Sequence, residues 1–208
     1  MHYNLLFNGC SFTEGKDLGP NYKSLRYSAK VCKSLGIEEN NIAACGSSNE
    51  RITRTTLEWI NDNPIDALVI CWSYPDRLMY TGKAPSPKDS QDKHFWKSTS
   101  VKRAEAYNHK PWINFYANIW TDEMMRNNFI MNNLIIQEFC KNRGIKLIMS
   151  HICPPSIYRG FTIDPLFSLI NKLDEDGFVA LPGMDTGDGI HPNSLMHSKF
   201  AQKLLPRL

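Results

Sequence analysis

Residues 67–73 read Ala-Leu-Val-Ile-Cys-Trp-Ser, a near-continuous apolar run between Asp66 and Tyr74. A strand with one wet face alternates apolar and polar residues, so a run like this fits a strand buried on both faces. Covering both faces calls for helices above and below a parallel sheet. Comparable runs at residues 3–10 and 145–151, a shorter one at 41–45 and a weaker one at 178–181 complete the strand candidates. Between them lie helix candidates at 24–35, 50–61, 121–142 and 194–205. In the third, Met125, Phe129, Ile136 and Cys140 recur at spacings of four and seven and share one face. Gly36 and Gly144 stand where helix C-caps are expected. The pattern predicts a three-layer αβα, flavodoxin-like sandwich of about five parallel strands, with ligands bound beyond their carboxyl ends.

A chain of 208 residues is long enough for one well-buried core, so a single domain over residues 1–208 is expected. The exception to the alternation is residues 74–120, where Pro85, Pro87 and Pro111 interrupt a lysine-rich stretch without a sustained period. It reads as a long irregular insertion covering one end of the sheet. Residues 83–110 hold seven basic side chains against three acidic ones, while the whole chain carries only +3. That net charge is too small to argue for nucleic acid. The first residues lack a basic n-region, and no run nears the roughly 18 apolar residues of a spanning helix, which predicts a cytoplasmic protein without a membrane partner. None of the six cysteines forms a C-x-x-C pair. They read as reduced, mostly buried thiols, and neither a metal nor an organic cofactor is expected.

Two short stretches carry chemistry. After the first strand comes Asn8-Gly9-Cys10-Ser11-Phe12-Thr13-Glu14-Gly15. A serine behind a glycine turn can project its hydroxyl into the cleft and offer its own N–H to an oxyanion. The same residues also suit a helix cap or a plain turn. A phosphate loop is set aside, because five residues rather than four separate Gly9 from Gly15-Lys16 and Asp17 occupies the Ser/Thr position. Near the other end, Asp188-Gly189-Ile190-His191-Pro192-Asn193 precedes the last helix. A carboxylate three residues before a histidine can hold one ring nitrogen while the other faces a hydroxyl. The plainer reading is a helix capped by Asn193 or Ser194 with Asp188 solvating a turn.

Gly9-Cys10-Ser11 and Asp188-Gly-Ile-His191-Pro resemble the first and last blocks of the SGNH (GDSL-like) hydrolases, and the order of elements resembles that family along nearly the whole chain. The resemblance implies a triad of nucleophile Ser11, base His191 and orienting Asp188. It also implies that Gly46, in Cys45-Gly46-Ser47-Ser48-Asn49, gives a second oxyanion N–H, although Gly46 can equally make only a turn and Asn49 only a helix N-cap. The family's third block, Gly-x-Asn-Asp, is replaced by Ser73-Tyr74-Pro75-Asp76. Pro75 then stands where the oxyanion asparagine belongs, and proline has no donor. Loss of one such donor typically lowers rate by about 10²–10³. Ser73 and Asn49 are the nearest candidate replacements, with Arg51, Arg77 and Trp72 as candidates for substrate contact. His151, at the end of the fourth strand, reads as a core histidine. The aromatics of the insertion, Trp112, Phe115, Tyr116 and Trp120 among them, can stack on sugars or bases, or form a satellite cluster of their own.

These readings converge on an ester hydrolase or O-deacylase for an acylated small molecule or glycan. An acyltransferase using the same site is one alternative. An impaired, SGNH-like binding module for glycan or nucleic acid is another. Short chains of this kind resemble some encoded by phages and bacteria.

Overall fold

A computed structural model of the chain describes residues 3–81, 96–106, 108–152, 170 and 191–208. Its centre is a parallel sheet in which β2 (Asn40–Asn41), β1 (Leu5–Gly9), β3 (Ala67–Trp72) and β6 (Lys146–His151) lie side by side in that order. Gly9 pairs with Cys71 and Trp72 with His151, so these strands end together at one carboxyl edge.

Every residue of β3 is buried, and its side chains alternate between two cores. Val69 and Cys71 join Tyr27 and Val31 of α3 (Tyr27–Leu35) and Met196, Phe200 and Leu204 of α8 (Ser194–Leu204). Leu68, Ile70 and Trp72 join Ile52 and Ile60 of α4 (Asn49–Asp62) and Phe129 and Ile136 of α7 (Asp122–Asn142). Helices therefore cover both faces, as the uninterrupted apolar run requires. Each such aliphatic side chain contributes roughly 1.5–3 kcal/mol by leaving water. The fifth strand candidate, at 178–181, lies outside the described residues.

Some boundaries move for identifiable reasons. The helix expected at 24–35 is two pieces, α2 (Tyr22–Leu25) and α3, separated by Arg26 in an extended conformation. The break follows from tertiary contact: the Tyr27 N–H donates to Nδ1 of His197 on α8 at 3.1 Å. β2 is shorter than expected because the Asn41 side chain takes the N–H of Ala43. Ser48, not Asn49, caps α4, accepting from the Arg51 N–H.

The segment at 74–120 is not the irregular loop expected. β4 (Leu78–Thr81) and β5 (Trp96–Thr99) pair antiparallel, and α5 (Val101–Ala106) and α6 (Lys110–Asn118) follow. Pro111 sits in the first turn of α6, where a missing N–H is harmless, so it starts a helix there. Trp112 packs on Tyr80 with ring centroids 4.6 Å apart and on Phe115 at 5.4 Å, and Phe115 stacks on Trp120. These aromatics form the satellite cluster. Cys10, Cys32, Cys71 and Cys140 are buried and in no disulfide, whereas Cys45, beyond the short β2, is exposed. No helix among the described residues is long and apolar enough to cross a membrane.

Candidate active site

β1 ends in a turn that admits little variation. Asn8 is buried and its amide donates to the Ile52 carbonyl and to the hydroxyls of Thr55 and Thr56, while its Oδ1 accepts the Gly9 N–H. This ties the strand's end to α4. At Gly9, a Cβ would stand 2.3 Å from Thr13 Oγ1 and 2.8 Å from the Cys71 carbonyl, so only glycine lets the next turn pack back on β1 and β3. Cys10 is extended, and Ser11 opens the short helix α1 (Ser11–Glu14) at the sheet's carboxyl edge. The N–H of a first helical residue has no acceptor within its helix. Ser11 is only 2% exposed.

The turn is braced from the neighbouring elements. Tyr27 Oη and Thr13 Oγ1 are 3.0 Å apart, and Asn41 Nδ2 donates to the Thr13 carbonyl and to Ser28 Oγ. Glu39 accepts the Ser28 hydroxyl and a two-pronged bond from Arg26, both prongs at 2.8 Å. Arg26 also reaches the Glu14 carbonyl at 3.3 Å.

His191 arrives from the far end of the chain, just ahead of α8, whose N-cap Asn193 accepts the Met196 N–H. Its Nε2 lies 3.1 Å from Ser11 Oγ. Its Nδ1 lies 2.8 Å from Oδ2 of Asp17. An ionised carboxylate only accepts, so in the neutral ring the proton is assigned to Nδ1, leaving the Nε2 lone pair toward the serine hydroxyl. Phe12 packs against the imidazole at a centroid distance of 5.7 Å. Asp188, the sequence-predicted partner of His191, lies outside the described residues.

The loops after β2 and β3 flank Ser11. A turn closed by the Ser47 N–H on the Ala44 carbonyl holds Gly46 at φ 80°, a conformation that favours glycine. Asn49 clasps the backbone of Ser73, accepting its N–H at 2.8 Å and donating to its carbonyl at 3.3 Å. Arg77 donates to Ser73 Oγ at 2.7 Å and to the Ser47 carbonyl at 3.3 Å, joining the two loops. Arg51 donates to Ser47 Oγ. Both arginines thus brace these loops with at least one donor. Trp72, expected to touch substrate, is completely buried against the α4 and α7 side, because as the last residue of β3 it points into that core. His151 is buried beside it at the end of β6. Among the described residues no group of three His, Cys, Asp or Glu could hold a metal ion.

No family model and no curated protein matches the sequence. Solved structures do match. A catalytic mutant of Axe2, an acetylxylan esterase from Geobacillus stearothermophilus, aligns over 100% of this chain and 95% of its own at 12% identity and a TM-score of 0.57. TesA aligns over 98% and 97% at 14% identity and a TM-score of 0.56. The chain has the SGNH-hydrolase fold. A third structure with this fold is a carbohydrate esterase whose active site displays divergent catalytic and non-catalytic binding functions, aligned over 98% of this chain and 67% of its own at 14% identity and a TM-score of 0.55.

Two residues of this SGNH-fold chain escaped the sequence reading. Asp17 entered only as a mismatch to a phosphate loop, and the turns that return it toward His191 leave no periodic signal. His197 sat unremarked on the face of the last helix. Its Nδ1 accepts the Tyr27 N–H, its ring stacks on Tyr27, and burial, aided by Lys30 and Arg26, lowers its pKa to about 3.

Proposed function

We propose that the chain is a serine-dependent ester hydrolase or O-deacylase acting on an acylated small molecule or glycan. The reading rests on the 3.1 Å approach of His191 Nε2 to Ser11 Oγ at the carboxyl edge of the sheet. Nε2 takes the Ser11 hydroxyl proton as Oγ attacks the ester carbonyl. The oxyanion forms against the N–H groups of Ser11 and Gly46. His191 then passes the proton to the departing alcohol oxygen, leaving an acyl-serine that water opens by the same exchange in reverse. The resemblance assigns Asp188 to orient His191, and this reading requires only that a carboxylate accept the Nδ1–H while Nε2 faces Ser11. Ser73 stands in for the missing asparagine: with its oxygen accepting from Arg77, its own proton is left to donate. The glycan option draws on the neighbour described as an acetylxylan esterase.

The test is labelling by a fluorophosphonate probe. Wild type reacts, Ser11→Ala and His191→Ala do not, and wild type hydrolyses p-nitrophenyl acetate. Labelling that survives Ser11→Ala overturns the proposal. Pro75, which offers no donor, favours a second reading, a glycan-binding module on the same scaffold. In that case Ser11→Ala retains full binding to an acetylated oligosaccharide while no variant turns it over.

A further inference from the structure

We infer that Asp17 is a positioning residue of the site, the carboxylate that holds His191 for reaction with Ser11. The inference rests on the hydrolase reading above and adds to it a residue that the resemblance to SGNH hydrolases does not supply. Asp17 Oδ2 stands 2.8 Å from His191 Nδ1. Ser11 stands 3.1 Å from the ring's other nitrogen. The imidazole is thus spanned between two residues of one seven-residue segment, with Phe12 of the same segment packed against it.

The backbone between them is shaped for this. α1 ends at Gly15, whose φ of 87° reverses the chain, and the Gly15 and Lys16 N–H groups both return to the Ser11 carbonyl. Asp17 itself adopts φ 66°. Among non-glycine residues, aspartate and asparagine tolerate that left-handed region best. A chain that leaves Ser11 and turns twice in this way brings a short acidic side chain back to the ring that Ser11 faces. Lys16 Nζ lies 3.6 Å from Oδ1, the oxygen not used by His191.

During attack the proton leaves Ser11 Oγ for Nε2, and the ring becomes a cation. Asp17 accepts the Nδ1–H and stabilises that charge. Removing the orienting carboxylate of a buried triad lowers kcat by roughly 10⁴. The Asp17 side chain is 40% exposed, and water weakens its hold, so the expected loss is about 10- to 100-fold.

The test compares Asp17→Asn with Asp62→Asn, the same change at the exposed far end of α4, in the full chain with p-nitrophenyl acetate as substrate. Asparagine keeps the size and the left-handed backbone of Asp17, so the fold is retained. The expected result is a kcat about tenfold or more lower for Asp17→Asn with KM nearly unchanged, and an unaltered rate for Asp62→Asn. Proton NMR gives a second readout that a merely structural role would not move. The downfield Nδ1–H resonance of His191 shifts or disappears in Asp17→Asn and persists in Asp62→Asn. Wild-type kcat in Asp17→Asn, or a resonance indifferent to that change, overturns the inference. The two readings fail separately: Ser11-independent probe labelling removes the hydrolase itself, whereas Ser11-dependent labelling with a fully active Asp17→Asn removes only the role of Asp17.

Discussion

His197 makes the stability of this fold depend on pH in a way that can be worked out from its surroundings. The ring is buried between α8 and α3, accepts the Tyr27 N–H through Nδ1, and is held neutral down to a pKa of about 3 by burial, with Lys30 and Arg26 adding repulsion. In the unfolded chain the same side chain has the ordinary value of 6.5. Below that value the unfolded chain takes up a proton that the folded one refuses. Stability is therefore fully present above pH 6.5 and is lost as pH falls toward the folded value. One proton per molecule corresponds to about 1.4 kcal/mol per pH unit, so between about pH 7.5 and about pH 4.5 this residue removes about 3 kcal/mol.

The assay is urea unfolding of wild type and His197→Asn across that range. Asparagine offers Oδ1 to the Tyr27 N–H but does not titrate, so the variant loses ring packing by a constant amount. Glu50 acts in the opposite sense. Burial raises its pKa, so folded Glu50 gains a proton sooner than unfolded Glu50 and favours the fold as pH drops. Comparison of the two proteins cancels this contribution. The wild type should lose about 3 kcal/mol more than the variant on acidification to about pH 4.5. Parallel curves would refute the argument.

Three further outcomes follow from the braces around Ser11. Gly9→Ala forces a Cβ against Thr13 Oγ1 and the Cys71 backbone, and by displacing the turn should lower probe labelling of Ser11 by about 100-fold, a misplacement near 1 Å being sufficient. Glu39→Ala leaves the partly buried Arg26 and Ser28 without their shared acceptor, an expected loss of roughly 2 kcal/mol in chemical denaturation. Ser73→Ala removes the hydroxyl proposed to replace the third-block asparagine, so kcat toward p-nitrophenyl acetate should fall about 10- to 100-fold with little change in KM. An unchanged kcat would exclude Ser73 from that role.

The sheet was legible because burial on both faces leaves no polar alternation to confuse it. Residues 67–73 and 145–151 could hardly be placed elsewhere, and the structure assigns strands at Ala67–Trp72 and Lys146–His151. What was not legible depended on contacts distant in sequence. The break at Arg26 exists because His197, 170 residues beyond Tyr27, captures a backbone N–H. The hairpin of β4 and β5 was obscured by prolines and lysines between its strands, whose pairing is a property of both halves together. At the site, Ser11 and His191 were recognisable as ends of motifs, but Asp17 had no motif to belong to. Its place is set by left-handed backbone at Gly15 and at Asp17 itself. Trp72 was expected to contact substrate, although its parity with Leu68 and Ile70 directs it to the α4 side.

The two histidines at the start of α8 link these observations. His191 reaches the loop after β1 at Ser11 and Asp17, and His197, two turns further on, grips Tyr27, whose hydroxyl in turn meets Thr13, two residues from Ser11. Docking of α8 is therefore the step that brings Ser11 and His191 together, since neither is brought to the other by local structure. It follows that a change weakening the His197 contact should reduce probe labelling of Ser11 as well as stability, even though His197 touches no reacting atom. His197→Asn, which keeps the acceptor, should label nearly as wild type at neutral pH, while His197→Leu, which leaves the Tyr27 N–H buried without that acceptor, should label more slowly. Equal labelling by the two would mean that His191 is held by its own loop and not through the docking of α8.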